Sequence, residues 1–295
     1  MAIESNRVKA IHIRYFDLDF PPEGKVPIPL IPVIFNEKPV NLGVIPVIFI
    51  KKRLFDRISI DSIPNLANKV FGLISEINRS IQQNPPGVQF DCDWSEKTKN
   101  KYFLFLRAYR ALAKSGISCT IRLHQVKYAG IMGIPPVDYG VLMFYNMGEI
   151  DAGSGNSVYE KSIAEKYSPS IKTYPLTLDL ALPIFTWSLQ LRDGRVIQLL
   201  NKMSFAHFEN DSNFNRVTAT RYSVRNSCFL GGYYFRVGDS VKIEHVSEED
   251  LMDISGQVNQ YTNQKIRNLI FYDLDQRNLS LYEKNIIPEI RSRIY

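Results

Sequence analysis

The stretch GVQFDCDWSEKTKNKYFLFLRAYRAL, residues 87–112, sets a strand-like apolar run directly against a helix-like one. Residues two apart on a strand share a face, so Gln89, Asp91 and Asp93 point one way and Val88, Phe90, Cys92 and Trp94 the other. From Thr98 to Leu112 the period changes. Tyr102, Phe105, Leu106 and Tyr109 fall at i, i+3, i+4 and i+7, the mark of a helix with one apolar stripe. A buried strand feeding a helix that packs on its apolar side is one βα unit of a parallel fold. An amide and two acids on the other face are costly to bury without partners or a purpose.

The same unit recurs along the chain. KAIHIRYFDLDF is a first strand, and IPLIPVIFN and GVIPVIFI follow, sharing IPVIF at 31–35 and 45–49. That echo reads as two buried strands of similar environment. Leu66, Val70, Leu73, Ile74 and Ile77 predict a helix, and further strands are expected in ISCTIRLHQV, YGVLMFYNMG, LTLDLALPIFTW and RNLIFYDLD. VYEKSIAEKYSPSIKTY is helical until Pro169, VSEEDLMDISGQVNQYTNQ opens with an N-cap at Ser247, and LYEKNIIPEIRSRI closes the chain. About eight strands alternating with helices predict a single domain over 1–295, an irregular (β/α)8 TIM-like barrel. Residues 188–245 break the pattern. The Asp193–Gly194 turn in LRDGRVIQLL and the alternation of SVKIEHV predict an antiparallel β insertion before the last strand, over or beside the barrel mouth. No GxGxxG follows an early strand, which argues against a doubly wound sheet.

The net charge is +6 with a pI near 9.0, but the charges are scattered and form no Lys/Arg run. Nucleic acid is therefore not an expected partner. Cys92, Cys119 and Cys228 lie far apart with no CxxC and no paired histidines, so neither a zinc site nor a disulfide framework is expected, and no cofactor. Cys92 and Cys119 read as buried thiols. MAIESNRVKA lacks an apolar signal core and no stretch is long and apolar enough to span a bilayer. Location stays open: exported or held at the cell envelope if a signal was removed, otherwise cytoplasmic.

TIM barrels collect their chemistry at the C-terminal ends of the strands. Here the first strand ends in Arg14, Tyr15, Asp17 and Asp19, the fourth in Gln89, Asp91 and Asp93. The fifth ends in Arg122, His124 and Gln125, the sixth in Tyr145 and Asn146. Asp179 and Trp187 bracket the seventh, and Tyr272, Asp273 and Asp275 close the eighth. Each has a plainer rival: a helix cap for Asp93 or Asp91, a counter-charge for Arg122, a hydrogen-bonded core histidine for His124, packing for Trp187 and Tyr272. Asp138, in PPVDYG, precedes its strand and sits at the wrong end for catalysis. Asp91, Asp93, Arg122, His124, Tyr145 and Asn146 are expected to converge in one polar cleft.

Four blocks in order, VQFDCDWSEKTKNKYFLFLRAYRAL, CTIRLHQVKY, GIPPVDYGVLMFYNMG and YPLTLDLALPIFTW, resemble a group of uncharacterised bacterial proteins with a glycoside-hydrolase-like TIM barrel, over roughly residues 8–190. More loosely the chain is similar to chitinase-like glycoside hydrolases. Those end their fourth strand in alternating acids finishing in a catalytic Glu, carry Met-x-Tyr-Asp on the sixth and a Trp on the eighth. Here the fourth strand gives Gln89, Asp91 and Asp93, the sixth gives Met143, Tyr145 and Asn146, and Tyr272 stands where the Trp would. If Asp91 and Asp93 match the last two aspartates, Ser95 holds the position of the acid. The resemblance implies a carbohydrate ligand.

Glycoside hydrolysis needs two carboxyl groups, one protonated and one charged, and strand positions two apart are separated by roughly 7 Å. On that basis Asp93 is the expected acid, Asp91 its charge partner and Tyr145 a hydrogen-bond donor, with Asp17 as reserve second carboxylate. Arg14, Asp17, Gln89, Arg122, His124, Gln125, Asn146, Asp179, Trp187, Tyr272 and Asp273 are the candidate sugar-binding residues. The expected function is a glycoside hydrolase acting on a polysaccharide or peptidoglycan-type glycan; the alternative is a non-catalytic glycan-binding or scaffold barrel.

Overall fold

The computed structural model describes residues 6–201, 203–262 and 266–295, so the first half of the MAIESNRVKA segment, residues 1–5, lies outside the described residues. An eight-stranded sheet runs in the order β15-β7-β6-β5-β4-β3-β1-β2. Its strands are β1 (Ala10–Asp19), β2 (Ile28–Leu30), β3 (Gly43–Ile50), β4 (Gly87–Asp91), β5 (Gly116–Arg122), β6 (Tyr139–Met143), β7 (Leu178–Pro183) and β15 (Ile266–Tyr272). β1, β3, β4 and β5 pair in parallel, each beside the next in sequence, while β2 folds back antiparallel on Asp17–Asp19. A sequential order is that of a singly wound, TIM-barrel-like sheet; a doubly wound sheet reverses its order part-way. The expected fold class is therefore the observed one.

The two IPVIF segments part company. Residues 45–49 lie in β3, with Ile45 and Ile48 buried, but residues 31–35 follow β2 as an irregular segment with Ile31 and Ile34 each 84% exposed. The expectation of two like strands is wrong. Pro27, Pro29 and Pro32 remove three backbone donors from the first copy, which leaves only a three-residue edge strand there. The second copy has only Pro46, and β1 bulges at Tyr15, one pair beyond it.

Chain contacts divide the molecule into two compact units. The first comprises Met1–Leu142, Thr173–Asp179 and Lys265–Asn268, the second Met143–Lys172, Leu180–Gln264 and Leu269–Tyr295. In the first unit α1 (Ile63–Ser80) and α2 (Lys99–Leu112) follow the predicted bounds closely. The even-numbered face of β4 packs on α2: Phe90 meets Phe105 and Tyr109 edge-on at 5.2 and 4.8 Å, and Trp94 lies 5.5 Å from Tyr102. Each such buried aromatic contributes about 1.5–3 kcal/mol, so α2 fixes which face of β4 is left for the polar residues. Asp138 pairs with Arg110 and accepts from the Ile117 N–H at 2.7 Å, a structural role that suits its place before β6.

The predicted β insertion belongs to the second unit. Strands β8 (Trp187–Arg192), β9 (Arg195–Leu200), β10 (Phe214–Thr218), β11 (Arg221–Val224) and β14 (Ser240–Glu244) form an antiparallel sheet in the order β10-β11-β14-β8-β9. Asp193 and Gly194 make the β8–β9 turn with φ of 49° and 71°, the left-handed pair a two-residue hairpin requires. A second hairpin, β12 (Cys228–Leu230) with β13 (Tyr233–Phe235), covers a core of Leu200, Phe208, Phe214, Tyr222 and Val241. Also in this unit, Ser247 caps α3 (Glu248–Thr262) as expected, its hydroxyl accepting from the Asp250 N–H at 3.1 Å.

Candidate functional site

Polar residues of the first unit form a connected group on β1, β4 and β5. Asp91 is only partly exposed and accepts a hydrogen bond from Thr120. Burial pushes its carboxyl upward, and the neighbouring Asp93 charge adds to this, against the opposing pull of Thr120, Arg122 and Arg14. Asp93 faces solvent and pairs with Arg122 at 3.1 Å. It caps no helix, since α2 begins six residues further on, after Thr98. Gln89 Nε2 donates to Thr120 Oγ1 at 3.2 Å, and its Oε1 lies 2.8 Å from His12 Nδ1. An amide oxygen only accepts, so His12 carries its proton on Nδ1 and the Thr120 hydroxyl proton is left to point at Asp91. A directed chain thus runs from His12 through Gln89 and Thr120 to Asp91.

Around it, Arg14 grips Asp17 through both carboxylate oxygens at 2.5 and 2.6 Å and lies over the Phe49 ring. Asp17 is thereby committed to a forked ion pair. Asp19 is fully buried against Arg53, Lys51 and the Phe20 N–H; burial opposes its charge, but these partners win and hold its carboxyl below the usual range.

Two residues expected at the end of β5 lie instead in the short helix Leu123–Lys127. His124 has its pKa lowered by burial, with Asp93 opposing and Arg122 adding to that shift. Gln125 is buried and spent on structure: its Oε1 accepts from the Arg122 N–H at 2.8 Å and its Nε2 donates to the Trp94 carbonyl at 3.1 Å. It ties the segments after β4 and β5 together and has no group left for a sugar. Asp179 is also misplaced by the sequence reading. It is the second residue of β7, at the end away from barrel chemistry, and meets Asn268 at 3.0 Å and Arg267 at 3.7 Å.

In the second unit the candidates are aromatic. Tyr145 and Tyr272 stack with planes 2° apart and centroids at 5.5 Å, and Phe185 meets Tyr145, Tyr272 and Trp187 edge-on at 5.7, 5.6 and 5.3 Å. Trp187 donates its indole N–H to Glu244 at 2.9 Å. Glu244 is buried, also accepts from Ser157 and pairs with Lys242 at 2.7 Å. Asn146 sits at φ 53° and its N–H donates to the Val158 carbonyl, while Asp273 accepts from Asn278 at 2.6 Å. A groove of about 760 Å³ in this unit is lined by Lys161, Asp253, Gln257 and others, none of them an expected site residue.

Four residues of these groups were missed by sequence reasoning. Thr120 lies two before Arg122 and His12 two before Arg14, so strand parity could have found both. Glu244 falls on the polar parity of SVKIEHV and Phe185 in the apolar run LTLDLALPIFTW, so neither pattern marks them. Among the described residues no group of three or more His, Cys, Asp or Glu is placed to hold a metal, and no helix is long and apolar enough to cross a membrane.

Among solved structures, the fold is similar to those of several chitinase-like glycoside hydrolase barrels. A family GH18 chitinase from Cycas revoluta, solved with allosamidin, is similar over 85% of this chain and 80% of its own, at 13% identity and a TM-score of 0.52. A Bacillus subtilis protein described as a sporulation-specific glycosylase is similar over 78% of this chain and 79% of its own, at 12% identity and a TM-score of 0.52. A Bacillus thuringiensis chitinase matches 85% of this chain at 11% identity and a TM-score of 0.49, and the match spans 50% of that longer protein. The sequence matches no family model and no curated protein. At these identities the likeness is one of fold.

Proposed function

We propose that the chain is a glycoside hydrolase in which Asp91 supplies the proton. The observation that carries this is the divergence of two carboxyl groups two residues apart. Asp91 is pushed toward its neutral form by burial, yet keeps partial exposure, whereas Asp93 stands in solvent against a guanidinium. Paired carboxyls whose surroundings separate their protonation are what acid-assisted glycoside cleavage needs. The roles are the reverse of those expected from the sequence: Asp91 is the acid and Asp93 its charged partner. Thr120 and Gln89 position Asp91, and Arg122 positions Asp93.

A second reading, glycan binding without turnover, has one specific observation in its favour. If Asp91 and Asp93 match the last two aspartates of the resemblance, Ser95 holds the position of the acid, and it is occupied as a turn residue. Its N–H donates to Thr98 Oγ1 at 2.9 Å and its hydroxyl lies 3.3 Å from the same oxygen.

Chito-oligosaccharides are the first substrates to test, because a Cycas revoluta chitinase variant with this fold is solved with (GlcNAc)4. Release of reducing ends is expected to fall about 10²–10⁴-fold in Asp91→Asn and much less in Asp93→Asn. Binding without release, unaltered by Asp91→Asn, would establish the second reading. Absence of binding to chito-oligosaccharides, peptidoglycan fragments and plant polysaccharides alike would end both.

A further inference from the structure

The hairpin β12–β13 breaks the usual rule for a half-buried sheet, apolar inside and polar outside. Its inward face is ordinary: Phe235 is fully buried in the insertion core, and Cys228, Leu230 and Tyr233 pack against that core. Its outward face is aromatic. Phe229 and Tyr234 are directly opposed across the two strands, with centroids 5.0 Å apart, and are 77% and 47% exposed. Gly231 and Gly232, at φ of 59° and 85°, supply the tight left-handed turn that holds the pair in register.

The charges beside this pair are unbalanced. Strand parity puts Arg236, two residues beyond Tyr234, on the same outward side. The Val237 N–H donates to Ser227 Oγ at 3.0 Å and joins the two flanks of the hairpin, and Arg225 stands two residues before Ser227 on the first flank. Both arginines are exposed, and among the described residues neither guanidinium meets a carboxylate. The acids of the insertion already have partners: Asp239 takes the Arg192 guanidinium at 2.7 Å and the Arg236 backbone N–H at 2.9 Å, Glu209 pairs with Arg216 at 3.2 Å and Glu244 with Lys242 at 2.7 Å. Asp211 accepts from the Asn213 N–H at 2.9 Å. Asp193, also exposed, lies on the tip of the other hairpin.

The geometry points to a binding site for an acidic polysaccharide on this hairpin, with sugar faces on Phe229 and Tyr234 and carboxylates on Arg225 and Arg236. Guanidinium forks suit carboxylates, and the exposed ring pair suits the apolar face of a sugar. A second copy of this chain fits poorly, since a two-fold contact would set these arginines against themselves. A nucleic acid presents a phosphate at every step and calls for a row of cations, of which this face supplies two. The inference rests on the reading of the protein as a glycan-active barrel, but the residues are separate from the proposed acid and its partners.

The test uses the full chain with sodium polygalacturonate, its fully methyl-esterified form and hyaluronan, followed by calorimetry and affinity electrophoresis. Wild-type protein is expected to bind the two acidic polymers, more weakly as salt rises, and to lose most of that affinity toward the esterified one. Phe229→Ser/Tyr234→Ser and Arg225→Gln/Arg236→Gln should each weaken binding about tenfold or more. Near-UV circular dichroism and release of reducing ends from chito-oligosaccharides should stay at wild-type levels in both, which shows the fold and the first site intact. Asp91→Asn should leave polygalacturonate binding unchanged, so that failure of either site is seen separately. No binding to either acidic polymer, or equal binding by the double variants, overturns the proposal. Tighter hairpin-dependent binding of oligothymidylate, or dimerisation lost in the aromatic variant, overturns it in favour of those partners.

Discussion

The pentapeptide IPVIF stands at 31–35 and again at 45–49, and the two copies have opposite fates. In the second, Ile48 is 0% exposed at the centre of a parallel strand between β1 and β4. In the first, Ile34 projects into solvent, Val33 donates its N–H to the Tyr15 carbonyl at 2.6 Å, and Phe35 meets the Tyr15 ring at 5.9 Å. The residues are the same, so the difference lies in what flanks them. Prolines at 27, 29 and 32 strip the first copy of donors, and a central strand needs every donor it has. Propensity for strand is a statement about fitting a pleated, buried surface, and it follows the neighbours.

The comparison can be broken with one substitution in each copy. Ile48→Ala should cost about 2–5 kcal/mol, the range for deleting a buried aliphatic side chain and leaving a cavity. Ile34→Ala should stay within roughly 0.5 kcal/mol of wild type. Urea unfolding of both variants decides it. A large loss for Ile34→Ala would mean that the first copy is covered in solution.

The aspartates teach the same lesson and set the next largest effects. Asp19 is a buried acid whose pKa is lowered, so its contribution to stability is present above the unfolded value and lost as pH falls through the folded one. Asp91 has a raised pKa. Its contribution is complete at pH below the unfolded value and is lost as pH rises through the folded one. Asp19→Asn should therefore destabilise the protein at pH 7 by roughly 1–3 kcal/mol, the cost of a buried partner removed, with the gap closing in acid. Asp91→Asn should raise Tm at pH 7, with its advantage also vanishing in acid. Melting curves from pH 3 to 8 test both signs. Equal slopes for the two variants would refute the assignment of opposite environments.

Much of this was legible in the sequence, and the limits are physical. The β4–α2 unit could be read because a period of two that runs to Trp94 gives way to a period of 3.6 from Thr98, with only the short polar run SEK between them. Asp193–Gly194 could be read because few other pairs tolerate that turn. What could not be read was which strand positions face partners. Gln125 and Asp179 belong to the expected residue types, but a capping box and an Arg267 contact absorb them. The choice between Asp91 and Asp93 depends on depth and on Thr120, which lies on another strand. A pattern along one strand carries neither.

The smallest expected effect probes that cross-strand dependence. His12 holds Gln89 by its amide oxygen, Gln89 gives its N–H to Thr120, and Thr120 then has its only proton for Asp91. His12→Phe keeps a ring of similar size but removes the Nδ1–H. Gln89 is then free to turn its oxygen toward Thr120, whose hydroxyl can donate there in place of Asp91. Loss of a donor to the charged carboxylate should raise the Asp91 pKa further. Thr120→Val removes that donor outright and should raise it more. The measurement is a titration of Asp carboxyl carbons by NMR in the three proteins. The expected order of the Asp91 midpoint is wild type below His12→Phe below Thr120→Val. A Thr120→Val shift without any His12→Phe shift would confine the influence to the direct partner and leave His12 as a packing residue.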